Sequence, residues 1–241
     1  MKSNFDFLDN EFPVLAQFGK KAELYLYSDS NSCLMKLGMI GETVVNLMFT
    51  YDRITLPAEN TAVNRIAVLF REGLLTQDLV DILHALRKVR NKAVHENYVS
   101  VADGKVLLQM AHSLCEWFMQ TYGDWNYKNK PFILPADLPV EASTDTGAEQ
   151  EHEKQLSMEA EEKAAASDSV AKEKRRQQAA KAASQRQKTE AETRYMIDQQ
   201  LRQVGWEADT ENLRFSKGTR PVKGRNLAIA EWPTDSTVGN H

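Results

Sequence analysis

Arg90, Asn91 and His95 are the side chains of this sequence whose types and spacing are best suited to chemistry. Apolar residues at helical spacing surround them and predict an amphipathic helix; they are Leu79, Ile82, Leu83, Leu86 and Ala93. Arg90 would project from this apolar stripe, where a guanidinium needs a carboxylate, a phosphate or a partner subunit. His95 lies five positions later, about 140° around an ideal helix. The two side chains can meet at one ligand only if the helix ends or bends between them, which Val94 and Asn97-Tyr98-Val99 favour.

The pattern Arg-Asn-x-x-x-His resembles the signature of the HEPN superfamily of small helical bundles, many of which are metal-independent ribonucleases. The resemblance implies a catalytic site made of Arg90, Asn91 and His95 and completed across a homodimer. A histidine with an unperturbed pKa of about 6.5 can act as general acid or base on a 2′-hydroxyl. An arginine can stabilise charge on the phosphorane. Glu42 stands where related domains carry an acidic residue, and it is expected to orient Arg90.

A structural use of the same residues is the alternative, and it is the one we favour. Arg90 would then pair with Glu42 inside the bundle, so that its loss would leave a buried carboxylate unpaired. Asn91 and His95 would satisfy polar groups at the helix end. In this case the cluster defines packing or docking, and it cleaves nothing.

Composition limits the possible classes of protein. The 241 residues can hold one large or two small domains, and the net charge of -4 gives no global attraction to nucleic acid. Cys33 and Cys115 both lie in apolar helical patterns, which indicates free buried thiols in a reducing, cytoplasmic setting. No apolar run approaches the ~18 residues that span a bilayer, and no cluster has metal-ligand spacing. We therefore expect no membrane contact and no metal site.

Residues 1–139 read as an all-helical domain, because apolar side chains recur at helical spacing between turn and cap signals. Short connections between such helices predict a bundle. The five predicted helices are Pro13–Tyr27, Cys33–Thr50, Thr61–Glu72, the helix that Thr76 caps and that carries Arg90, and Asp103–Tyr122.

A charged segment follows at residues 140–189. Its first half, to Glu162, is mainly acidic, and its second half, from Lys163, is mainly basic and rich in alanine. Residues 141–194 contain no aromatic side chain, so they can bury little apolar surface. We expect a solvated spacer helix that the first domain does not need for folding. The alternative is that its basic half follows a phosphate backbone.

Residues 190–241 open a third region, with a helix that ends near Gly205 and a short strand near Ala228. Between Asn212 and Ala230 there are basic side chains and no acidic one. They are Arg214, Lys217, Arg220, Lys223 and Arg225. Together with Gly218 and Gly224 they suit close approach to DNA phosphates, although a flexible solvated loop has the same composition.

Several motifs together resemble the R subunit of type I restriction endonucleases. They are Leu-Arg-Lys-x-Arg-Asn-x-Ala-Val-His-Glu at 86–96, Glu-x-x-Thr-Arg at 190–194, Gly-Trp at 205–206, Asn-Leu-Arg-x-Ser-Lys-Gly-Thr-Arg-Pro at 212–221 and Ala-Glu-Trp-Pro-Thr at 230–234. The resemblance implies a mainly α chain: a HEPN-like bundle at 1–139, the helical linker at 140–189, and at 190–241 the truncated start of an α/β nuclease domain.

This resemblance also implies partners and cofactors. The intact subunit would cleave DNA with Mg²⁺ after ATP-driven translocation, together with specificity and methylation subunits. Glu192 would assist the metal site, while the metal-binding carboxylates and the motor would lie beyond residue 241. We therefore expect an N-terminal piece with no cofactor and no DNA cleavage of its own. The alternative is a self-standing HEPN-type ribonuclease or binding module.

Overall fold

The computed structural model of the chain describes residues 2–137, 147–167, 172–186 and 188–233. It divides into two compact units, Met1–Gln187 and Lys188–His241. These described residues form eight α-helices and one two-stranded parallel sheet, which confirms the prediction of a mainly α chain. The predicted boundary at 139/140 and the end of the chain from Thr234 lie outside the described residues.

The five predicted helices are present in the first unit. They are α1 (Pro13–Ser28), α2 (Ser30–Tyr51), α3 (Ala62–Arg71), α4 (Gln77–Glu96) and α5 (Val101–Tyr122). Two of them begin earlier than predicted because a polar side chain caps each start. Asp29 accepts a hydrogen bond from the amide of Ser32, and Ser100 accepts one from the amide of Asp103. A short 3-10 helix, Asp6–Leu8, precedes α1.

Helix α2 is the centre of this unit and packs against α1, α4 and α5. Its Gly38 allows α4 to come close, since a Cβ atom built there would lie 2.2 Å from the Cβ of Arg90. By length and composition α2 is the one described helix apolar enough to cross a membrane, but 67% of its apolar window is buried inside the bundle. Such burial is typical of a core helix.

Two cysteines and one histidine are buried in this core without charge. Cys33 and Cys115 are free and fully buried, as predicted. Burial raises the pKa of the Cys33 thiol to about 12. His112 is enclosed by the rings of Phe5, Phe7 and Phe132, and burial lowers its pKa to about 4. These side chains therefore contribute to packing in uncharged form.

The charged segment differs from the expected solvated spacer, because its two helices pack against the bundle. Helix α6 (Gly147–Ala165) contacts α1 and α2, and helix α7 (Lys172–Ser184) contacts α5. The alanines Ala160, Ala164, Ala179 and Ala182 are buried at these contacts. A small side chain lets a helix approach closely, so the segment can dock without aromatic residues. The indole N–H of Trp117 also donates to the carbonyl of Ala179, at 3.1 Å.

Buried ion pairs hold both helices in place. Glu153 of α6 is only 5% exposed and accepts two hydrogen bonds from the Nζ of Lys36, at 2.8 and 2.9 Å. Arg175 of α7 is also 5% exposed, and its Nε donates to Asp52 at 2.7 Å. Tyr122 donates its hydroxyl to the other oxygen of Asp52, at 2.7 Å. Each buried charge thus finds a partner of opposite sign on the bundle.

The second unit begins with α8 (Glu190–Gln203). Strands β1 (Glu207–Ala208) and β2 (Leu227–Ala228) pair in parallel, with a short 3-10 helix, Phe215–Lys217, between them. Asp198 of α8 accepts hydrogen bonds from the amide and the hydroxyl of Thr210, at 2.7 and 2.6 Å. This carboxylate fixes the chain as it leaves β1.

We expect Arg175→Met to lower the free energy of unfolding by about 3–5 kcal/mol, because it leaves Asp52 buried without a cation. Urea unfolding followed by circular dichroism measures the loss. Arg176→Met is the matched control, since Arg176 pairs with Glu72 and both side chains are partly exposed; it should cost about 1 kcal/mol or less. Equal losses in the two variants would contradict the docking of α7.

Candidate functional site

The Arg90 side chain extends from α4 toward α2, where it contacts two residues that lie one helical turn apart. Its aliphatic stem lies against Gly38, and its Nη1 lies 3.0 Å from the Oε2 of Glu42. Gly38 leaves space for the Arg90 side chain, and Glu42 provides the opposite charge. Both residues face Arg90 because positions i and i+4 lie on the same face of a helix. The structure therefore brings together two of the residues proposed from the sequence.

This ion pair lies at the surface and not inside the bundle. The Arg90 side chain is 39% exposed and that of Glu42 is 46% exposed. Pairs so accessible to solvent contribute about 1 kcal/mol or less to stability. The expectation of a buried carboxylate behind Arg90 is therefore wrong, since position 90 lies at the edge of the apolar stripe.

His95 is not brought to Arg90. Helix α4 is continuous through both residues and ends at Asn97, which adopts a left-handed conformation with φ 49°. Because the helix does not end between them, the angle of about 140° between the two side chains remains. His95 is exposed in the last turn, whereas Asn91 lines a cleft together with Arg90. Within one chain, therefore, the side chains of Arg90 and His95 do not meet at a common ligand.

That cleft, which we call the arginine cleft, lies between α2, α3 and α4 and has a volume of about 410 Å³. Its polar lining comprises Glu42, Asn46, Asn60, Thr61, Arg65, Arg87, Arg90 and Asn91. A second cavity of about 170 Å³ borders the same Glu42–Arg90 pair and reaches Ser157 and Glu161 of α6. Sequence reasoning did not find the arginine cleft, because its residues come from three separate helices.

Two cations of the predicted DNA-binding loop are neutralised within their own unit. Arg214 contacts Glu231 at 3.0 Å, and Arg225 forms a two-pronged ion pair with Glu207, in which its Nε donates at 2.8 Å. The hydrogen bonds from Arg225 hold the pKa of Glu207 below its usual value. Both glutamates lie just outside the stretch from Asn212 to Ala230, which is why a local count of charges missed them.

The other three cations of the loop differ in the contacts that their side chains make. Arg220 lies 3.8 Å from the centre of the Phe215 ring and donates to the carbonyls of Phe215 and Thr219. Lys217 and Lys223 are exposed. These two lysines are the members of the predicted set best placed to meet a phosphate backbone.

Glu192 lies in the first turn of α8 and is buried, while its amide donates to the hydroxyl of Thr189. Among the residues that the structure describes, no three His, Cys, Asp or Glu side chains are grouped so that they could hold a metal ion. The resemblance places the metal-binding carboxylates beyond residue 241, so Glu192 would only assist a Mg²⁺ site that other residues form. No step of DNA cleavage is assigned to the described residues.

Two known families match the chain. The domain of unknown function DUF4145 matches residues 20–164, from within α1 to the end of α6. The second domain of the type I restriction enzyme EcoKI endonuclease subunit matches residues 207–240, which begin at β1. The first match includes Arg90 and Glu42, and it extends across α6 in the charged segment.

Among curated relatives, the type I restriction enzyme EcoKI endonuclease subunit of Escherichia coli (strain K12) is 32% identical over 285 residues. The alignment covers 97% of this chain and 24% of that subunit, so the chain spans about a quarter of its relative's length. No solved structure matches. The chain belongs to the DUF4145 family, and it is a homologue of the endonuclease subunit of a type I restriction enzyme.

Proposed function

We propose that this chain is the N-terminal region of the R subunit of an ATP-dependent type I restriction endonuclease, which acts against foreign DNA in the cytoplasm. The observation that carries the proposal is the 32% identity along 97% of the chain, since it includes both compact units and not the helical unit alone. The match of residues 207–240 to the second domain of such a subunit supports the same conclusion.

In this proposal the helical unit serves for docking and does not cleave RNA. Arg90 is paired with Glu42, and His95 points away from it on a continuous helix. A metal-independent ribonuclease site needs both groups at one phosphate. The partners that we propose for docking are the specificity and methylation subunits of the restriction complex.

The second unit would contact DNA, and Lys217 and Lys223 are two of the exposed cations in its loop. Mg²⁺-dependent cleavage and ATP-driven translocation are proposed for the whole subunit. This sequence has no Gly-x-x-x-x-Gly-Lys-Ser/Thr motif, so ATP binding is not assigned to it. The contribution of these residues is therefore to hold and position DNA.

A self-standing HEPN-type ribonuclease is the second candidate. The observation in its favour is that Arg90 and Asn91 line the same cleft. A homodimer would have to bring His95 of one copy to Arg90 of the other. The two candidates differ in whether the chain cleaves RNA without a metal.

We expect the chain to bind duplex DNA with an affinity that falls with salt. The slope of log K against log salt concentration should become less negative by about 1.8 in the double variant Lys217→Gln/Lys223→Gln, because each phosphate contact contributes about 0.9 to that slope. Fluorescence anisotropy with a short labelled duplex measures this slope. Lys128→Gln/Lys154→Gln, at two exposed positions of the first unit, is the control with the same change in charge. Equal slopes in the two double variants would exclude the loop as the DNA contact.

We also expect no cleavage of single-stranded RNA by the chain in EDTA. Arg90→Ala should remain folded and lose about 1 kcal/mol or less, because its ion pair is half-exposed. His95→Ala should melt like the wild type. The assay combines gel analysis of RNA with melting curves of the three proteins. RNA cleavage that survives EDTA and disappears in His95→Ala would establish the ribonuclease instead.

A further inference from the structure

The arginine cleft carries an excess of positive charge. Arg65, Arg87 and Arg90 line it, while Glu42 is the one carboxylate among its lining residues. Three guanidinium groups and one carboxylate give a formal charge of +2. Glu42 lies 3.0 Å from Arg90, so it neutralises that arginine and leaves the other two.

Arg65 and Arg87 both have unused hydrogen-bond donors. The Nε of each is buried and has no hydrogen-bond partner within the part of the chain that the structure describes. The Nη1 of Arg65 donates a hydrogen bond to the side-chain oxygen of Asn46, which also lines the cleft. Buried N–H groups are rarely left without an acceptor, because they lose their bonds to water. Both side chains line the cleft, so a small shift of either guanidinium would turn its unpaired N–H toward a ligand that supplies oxygen acceptors.

The first turn of α3 adds further donors at the same wall. Thr61, Ala62 and Val63 line the cleft, and Thr61 accepts a hydrogen bond from the amide of Asn64 at 3.2 Å. The amides of Ala62 and Val63 have no partner within the helix. The positive end of the ten-residue helix therefore faces the cavity that the arginines line.

We propose that the arginine cleft binds a small phosphate-bearing molecule, with its phosphate on Arg65, Arg87 and the first turn of α3. A phosphate dianion matches the excess of +2, whereas a single carboxylate would leave half of it unbalanced. Guanidinium groups also fit phosphate oxygens in a two-pronged manner. The remaining volume of the 410 Å³ cleft, with Val45, Ile66 and Leu83 as apolar walls, suits the rest of a small ligand. The cleft belongs to the first unit, and its binding of phosphate does not depend on the DNA contact proposed for the second unit.

Isothermal titration calorimetry on the full chain tests the proposal with three probes: inorganic phosphate, adenosine 5′-monophosphate and acetate, at one ionic strength. We expect saturable binding of both phosphate probes and none of acetate. Tighter binding of the nucleotide would show that the apolar walls also take part, and equal binding would show that the site recognises phosphate alone.

Arg87→Gln should weaken phosphate binding at least about tenfold. Lys88→Gln is the matched control, since Lys88 is the next residue of α4 and does not line the cleft. Val63→Asp is a second variant that should fold, because position 63 is exposed and a carboxylate is favourable in the first turn of a helix. Its negative charge should exclude the anion. Wild-type affinity in both Arg87→Gln and Val63→Asp, or no binding of either phosphate probe to the wild type, would overturn the proposal.

Discussion

The first unit depends on one constraint, that a charge buried in a protein needs a partner of opposite charge. Arg175 forms an ion pair with Asp52, and Glu153 forms one with Lys36. The helices that carry Arg175 and Glu153 offer mostly alanine to the bundle, so apolar burial alone would stabilise their position weakly. The ion pairs fix which turn of each helix meets the bundle, since any shift would leave a charge buried without a partner.

The sequence allowed the five helices of the bundle to be predicted, because apolar periodicity and caps are local signals. Docking of the charged segment was not predictable in this way. The partners of Glu153 and Arg175 are 117 and 123 residues away along the chain, and nothing near either residue identifies them. A stretch without aromatic side chains resembles a solvated helix until its distant partners are known.

The candidate sites could likewise be predicted only where neighbouring residues in the sequence form them or a family resemblance indicates them. The Glu42–Arg90 pair was predicted from a resemblance, but its exposure depends on how α2 and α4 pack. The basic loop was visible as a run of charge, whereas Glu207 and Glu231, which neutralise two of its arginines, flank the run. The arginine cleft gave no sequence signal, because Arg65 and Arg87 belong to separate helices that only the fold brings to one cavity.

We infer that the charged segment belongs to the helical unit and unfolds with it. Native-state hydrogen exchange tests this claim most directly, by comparing the amides of α7 with those of α5, against which α7 packs. Cooperative docking predicts similar protection in both helices, since α7 can open only if the buried pair of Arg175 and Asp52 is separated. Exchange in α7 that is about a thousandfold faster than in α5 would show a detached helix and contradict the account.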